Sequence, residues 1–184
     1  MWAWIALPIL AVLVAFFIVM AGLGRRLPEE HRTACTLRLA SNPGTVWSLI
    51  EDTHAYPFWA PGVTKVERLA DHDNREVWRH HMGRNVFTIE TVESRPPHRL
   101  VREVADVRGP FHGRWEYDLA PDGSGCRVSL TECGTIDNPC VRAMMRYFFS
   151  ESMYVRKHLA GVARKLGEPA ARIDIVPPPS AVRA

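Results

Sequence analysis

The 184-residue chain predicts an α+β fold: a curved antiparallel sheet wrapped around one long C-terminal helix, preceded by one N-terminal transmembrane helix. Three observations predict it. Residues 1–24 carry no charged side chain, whereas all 23 Lys and Arg and all 20 Asp and Glu follow them. From Val63 to Cys133, period-two apolar stretches alternate with turn-forming clusters, and strands joined by short turns must be antiparallel. From Asn138 to Leu166 the apolar residues recur instead at spacings of three and four, which is one face of a helix. A sheet with one apolar face needs a cover, and that helix supplies it.

The first 24 residues read as an anchor. Trp2 to Leu23 rises to roughly 33 Å as a helix, enough to cross the hydrocarbon core of a bilayer. Trp2 and Trp4 suit one interface and Arg25 and Arg26 close the other, so the positive-inside rule places the rest of the chain on the cytoplasmic side of a single pass. Pro8 lies in the second turn, where a span tolerates it or kinks. A cleaved signal peptide remains the alternative, with Val19-Met20-Ala21 as small residues at a cleavage site. Against it stand the length of the apolar run and the lack of a Lys or Arg before it. The net charge of +3 comes from interleaved acids and bases. No basic stripe results, so nucleic acid is not an expected partner. Arg outnumbers Lys, and Ala and Val are abundant, a bias that fits a GC-rich bacterial genome. The four cysteines form no CxxC, and Cys126 and Cys133 point to opposite faces of one strand, so free thiols in a reducing compartment are expected.

The remaining elements follow in order. Residues 25–32 form a charged linker. Thr33 to Ala40 alternates Cys35, Leu37 and Leu39 with polar residues, as a half-buried strand does. Ser41-Asn42-Pro43-Gly44 starts a helix carrying Val46, Trp47, Leu49 and Ile50, followed by a short helical turn from Asp52 to Tyr56. The aromatic segment Tyr56 to Gly62 breaks it as a loop. Strands are expected at Val63 to Leu69, Arg75 to Met82, Val86 to Glu93, Leu100 to Val107, Phe111 to Leu119 and Arg127 to Cys133, separated by Asp, Asn, Gly and Pro turns. Asn138-Pro139 opens the long helix, whose face is Val141, Met145, Phe148, Ser152, Val155, Leu159, Val162 and Leu166 and which ends at Gly167. Residues 168–184, with Pro177-Pro178-Pro179, read as a disordered tail.

Several motifs within this order resemble one known family. Pro43, Val46 and Trp47, then Tyr56, Pro57 and Trp59, resemble the front motif of the START-like (SRPBCC, helix-grip) superfamily, which includes the polyketide cyclase/dehydrase and lipid-transport family. Glu93 to Val101, with Pro96-Pro97 and Leu100-Val101, looks like its central hairpin. Gly113 to Tyr117 and Gly125 to Glu132 look like its last two strands. The resemblance covers residues 33–167. It implies a deep cavity between sheet and long helix that holds a lipid, polyketide or other apolar molecule, and it implies no single activity.

Strand alternation then selects the residues facing inward: Trp78, His80 and Met82; Phe87 and Ile89; Phe111, Trp115, Tyr117 and Leu119; Val128, Leu130 and Glu132. All of these but His80, Leu119 and Glu132, with Met145 and Phe148 on the helix and Phe58 and Trp59 as a gate at the mouth, form the expected ligand-binding set. Each also has a bland role as core. Glu132 and His80 are the inferred inward titratable pair, able to serve general acid/base chemistry, although Glu132 can equally reach solvent or pair with Arg102. His80 and His81 point to opposite faces, so no metal site is expected, and no cofactor motif occurs. Three functions stay open. The first is a membrane-tethered protein that binds or carries a hydrophobic small molecule or lipid, and the second is a cyclase/dehydrase-like enzyme. The third is a protein-interaction module in which Arg142, Arg146, Arg156, Lys157, Arg164 and Lys165 on the outer helix face meet an unspecified partner or anionic lipid headgroups.

Overall fold

The computed structural model describes residues 2–106, 111–150 and 152–177, the side chains of 2–6 and 111 excepted. Its strands are β1 (Glu30–Leu39), β2 (Val63–Arg68), β3 (Val77–Met82), β4 (Asn85–Arg95), β5 (Arg99–Val104), β6 (Phe111–Asp122), β7 (Gly125–Ile136) and β8 (Ile173–Val176). They pair antiparallel in one sheet of order β2-β3-β4-β5-β6-β7-β1-β8. Helices α1 (Trp2–Gly24), α2 (Pro43–Glu51), α3 (Pro139–Phe148) and α4 (Met153–Lys165) accompany it. The stretch Leu7–Gly24 of α1 is long and apolar enough to cross a membrane.

The core lies between the inner face of the sheet, α2 and α4. Val46 and Ile50 from α2, Leu37, Leu100, Val128 and Leu130 from strands, and Val155, Leu159 and Val162 from α4 are all sealed from solvent. Each such side chain contributes roughly 1.5–3 kcal/mol relative to exposure. Helix α2 starts where Asn42 Oδ1 accepts the Thr45 N–H at 2.9 Å, with Pro43 in the first turn. The Trp59 loop reaches α4 at Gly161, where a Cβ would lie 2.4 Å from the Trp59 carbonyl oxygen.

The structure differs from the sequence reading at four places. The long C-terminal helix is two helices: α3 stops at Phe148, Phe149 is extended, and α4 begins after Ser152. Consecutive aromatics at 147–149 are poor helix formers, and the two halves bury their faces against different partners, α3 on α1 and α4 on the sheet. Within the expected disordered tail, Ile173–Val176 pairs with β1, whose outer edge would otherwise be bare. Residues 178–184, with Pro178 and Pro179, lie outside the described residues, as do Val107 and the turn at 108–110. Strand β1 begins inside the expected linker, because β7 runs on to Ile136 and offers Glu30, His31 and Arg32 partners in register. Finally, Arg142 is not on an outer face. It is buried, pairing with Glu29 at 3.0 Å and donating to the carbonyls of Ile136 at 2.8 Å and Gly24 at 3.1 Å.

Gly161→Ala is expected to destabilise the protein by about 1–3 kcal/mol, because the new methyl group meets a backbone carbonyl that cannot step aside. Thermal unfolding checks this. An increase in stability, the usual result of Gly→Ala on an open helix face, would remove the tight contact from the account.

Candidate functional site

A cavity of about 750 Å³ lies at one end of the core, not at its centre. Helix α3 and the α3–α4 break wall one side, residues 27–32 form another, and the start of β4 and end of β7 close it. Leu27, Phe87, Ile136, Met145, Met153 and Tyr154 give it an apolar lining, while Arg32, Arg142, Arg146, Glu29, Glu30 and Glu132 supply charge. Such a mixture suits an amphiphile: apolar bulk with a few placed polar groups to orient it.

Glu132 is the chemically distinctive residue on this wall. It stands on β7 directly opposite Trp115 of β6 and Thr33 of β1, and it is buried. Burial pushes its carboxyl from the ordinary 4.5 to about 7, an effect that Trp115 partly offsets. Near neutral pH it can therefore donate a proton or a hydrogen bond, or accept one. Tyr154, across the cavity on α4, stacks at a tilt on Trp115 with ring centroids 6.2 Å apart, and burial raises its phenol.

Behind the cavity runs a buried polar network. Arg102 of β5 donates to the carbonyls of Ile50 at 3.1 Å and Glu51 at 2.9 Å, the last two residues of α2, and to the Tyr56 hydroxyl. Tyr56 in turn donates to the Ile50 carbonyl at 2.8 Å. The hydroxyl of Tyr117 lies 2.9 Å from His158 Nε2 on α4. Burial, followed by the charge of Arg102, lowers His80 to about 4 and His158 to about 3. Both imidazoles are neutral at physiological pH.

The expected site residues fall into separate places. Phe87, Met145 and Glu132 line the cavity. Trp78, Ile89, Tyr117, Val128 and Leu130 are buried, the last three within the central core cluster. Met82 and Trp115 are partly buried against that cluster. Trp59 is 6% exposed and packs on Tyr56 and His158, while its neighbour Phe58 is 79% exposed. Phe148 is 61% exposed and sits against Phe16 of α1. The side chain of Phe111 lies outside the described residues. His80 and Glu132 do not form a pair: His80 packs on the Tyr56 ring from β3, and Glu132 faces the cavity from β7. Nor does Glu132 meet Arg102, whose bonds go to α2, Tyr56 and Thr91. Among the described residues no three His, Cys, Asp or Glu converge as a metal-sized group.

Sequence reasoning missed His158, Tyr154 and the Arg102 network. His158 had a signal, because it shares the α4 face with Val155, Leu159 and Val162 and must be buried with them. Arg102 had one too, since it lies in register with Trp115 on the inward face.

Residues 33–167 match a family model described as polyketide cyclase / dehydrase and lipid transport. The chain belongs to this family. Solved structures share its fold. TTHA0849 from Thermus thermophilus is 20% identical, with 74% of this chain and 97% of that chain covered and a TM-score of 0.62. The Zhui aromatase/cyclase from Streptomyces sp. R1128 is 18% identical, with 77% and 94% covered and a TM-score of 0.59. The di-domain aromatase/cyclase StfQ from the steffimycin biosynthetic pathway is 12% identical with a TM-score of 0.62. The match covers 77% of this chain and spans about half of StfQ, 52% of its length. No curated protein matches the sequence.

Glu132→Gln in this family member tests the placement of the carboxyl. Between pH 4.5 and 7 the folded state keeps a proton that the unfolded chain has released, so Glu132 stabilises most at the acid end and that contribution is lost as pH rises through 7. The stability of the Gln variant relative to the parent should therefore rise by about 1.4 kcal/mol per pH unit across that window and level off above it. Denaturant unfolding followed by Trp fluorescence at several pH values reads it. A difference independent of pH would mean the carboxyl is solvated.

Proposed function

We propose that the protein is a membrane-anchored binding or transport protein for a hydrophobic small molecule or lipid, its domain held on the cytoplasmic side by residues 2–23. The observation that carries this reading is the position of the cavity. Residues 27–32, which follow the apolar helix directly, form one of its walls, so a ligand leaving a bilayer that α1 crosses has the shortest path to it. Arg25 and Arg26 at that end of α1 support the cytoplasmic side. The family's fold is one that binds hydrophobic ligands, in keeping with the lining of Phe87, Met145 and Met153. A second reading, a cyclase- or dehydrase-like enzyme, is favoured by one observation: Glu132 presents to this cavity a carboxyl that titrates near 7.

Native mass spectrometry of the full chain, purified from its host membranes and released from detergent, tests the first reading. The parent protein should carry a non-covalent apolar adduct, and Met145→Trp, which fills the cavity from α3, should lower its occupancy about tenfold, the equivalent of ~1.4 kcal/mol. An empty parent, or equal occupancy in both, would count against binding there. Should Glu132→Gln retain the adduct while a product found with the parent disappears, the enzyme reading takes precedence.

A further inference from the structure

Helix α3 makes its main contact with α1, not with the sheet. The two run antiparallel. At the top, Gly24 and Pro139 touch so closely that a Cβ on Gly24 would lie 1.7 Å from the Pro139 carbonyl oxygen. Arg142 ties the same level by donating to the Gly24 carbonyl at 3.1 Å. Toward the other end of α3, the ring of Phe148 lies 6.3 Å from that of Phe16. Phe16 is eight residues back along α1 from Gly24, a descent of about 12 Å, and the hydrocarbon half-thickness of a bilayer is about 15 Å.

The surface of α3 fits that depth. Beyond α1, eight large apolar residues are exposed among the described residues, and three of them, Tyr147, Phe148 and Phe149, are consecutive at the C-terminal end of α3, while Val141 of α3 and Met153 at the start of α4 border the cavity. The sequence of α3 holds no acidic residue, and its two charges are Arg142 and Arg146. Water is a poor neighbour for three consecutive aromatics at one helix end, whereas the acyl region below the headgroups accepts them. On its other side α3 presents Arg142, Met145 and Arg146 to the cavity.

We propose that α3, with Tyr147-Phe148-Phe149 at its tip, is a second membrane-inserted element, lying along α1 within the acyl chains of the leaflet that holds the C-terminal end of the span. This rests on the reading of α1 as a span. It makes α3 a wall one helix thick between bilayer and cavity, and the ligand a membrane-resident amphiphile that enters sideways past that wall.

The test places a photoreactive benzophenone amino acid at Phe149, at Phe16 or at Arg38 of the full chain, one site at a time. Arg38 is exposed on β1, distant in the fold from α3. Each protein is reconstituted into phosphatidylcholine–phosphatidylglycerol vesicles, irradiated and weighed by mass spectrometry. Lipid adducts are expected at 149 and at 16, each at least tenfold more abundant than at 38. Adducts at 16 without adducts at 149 overturn the inserted helix and leave the anchor standing. Adducts at neither overturn both. A covalent dimer through 149 would assign the face to a second copy and overturn the proposal.

Discussion

The structure hinges on where the guanidinium of Arg102 finds its acceptors. It is buried on the inner face of the sheet, and among the described residues none of its hydrogen-bonding partners is a carboxylate. Its charge is met instead by the last two carbonyls of α2, the negative end of a helix dipole, together with hydroxyls. One interaction thereby settles three matters. It ends α2, it fixes the following Thr53–Phe58 turn through Tyr56, and it places near His80 and His158 a permanent positive charge that adds to the burial holding both imidazoles neutral. A neutral His158 can share its Nε2 with Tyr117 and still lie within an apolar core.

The two C-terminal helices divide the remaining work. Helix α4 fills the centre: Val155, Leu159 and Val162 meet the strands, and the absence of a side chain at Gly161 lets the Trp59 loop close over it. Helix α3 leaves the sheet, and the gap between them is the cavity. The titratable groups divide likewise. Those around Arg102 are locked in one protonation state, whereas Glu132, out of contact with that cation, stays near its own midpoint. Glu132 is therefore a candidate for chemistry near neutral pH on the cavity wall, and the network behind it acts as scaffold.

Much of this was legible in the sequence. Turn clusters and period-two alternation located seven of the strands, and Asn42-Pro43 and Asn138-Pro139 marked real helix starts. The inward residues from Trp78 to Glu132, Phe111 apart, share one face by the observed register. What alternation could not reveal was which inward residues are sealed and which face a void, because that depends on the path of the covering helix. The break in that helix was hidden for a simple reason. Met145, Phe148, Ser152 and Val155 keep the spacing of three and four straight across it, so the apolar pattern is continuous where the backbone is not. Strand β8 was masked by the prolines beside it, which end the strand at Pro177 and do not abolish it.

Strand β8 also dictates an order of events. Strand β1, near the front of the domain, is flanked in the finished sheet by β7 and by β8, the latter joining Ala34 to Val176 at the far end of the chain. Emerging from the ribosome, β1 waits with both edges open until its partner strands are made. The domain closes only when its last segment arrives, so its assembly is governed by a long-range pairing that no early local structure can replace. A chain cut after Gly167, where the family match ends, would retain the fold's recognisable motifs and lose the piece that covers its open edge.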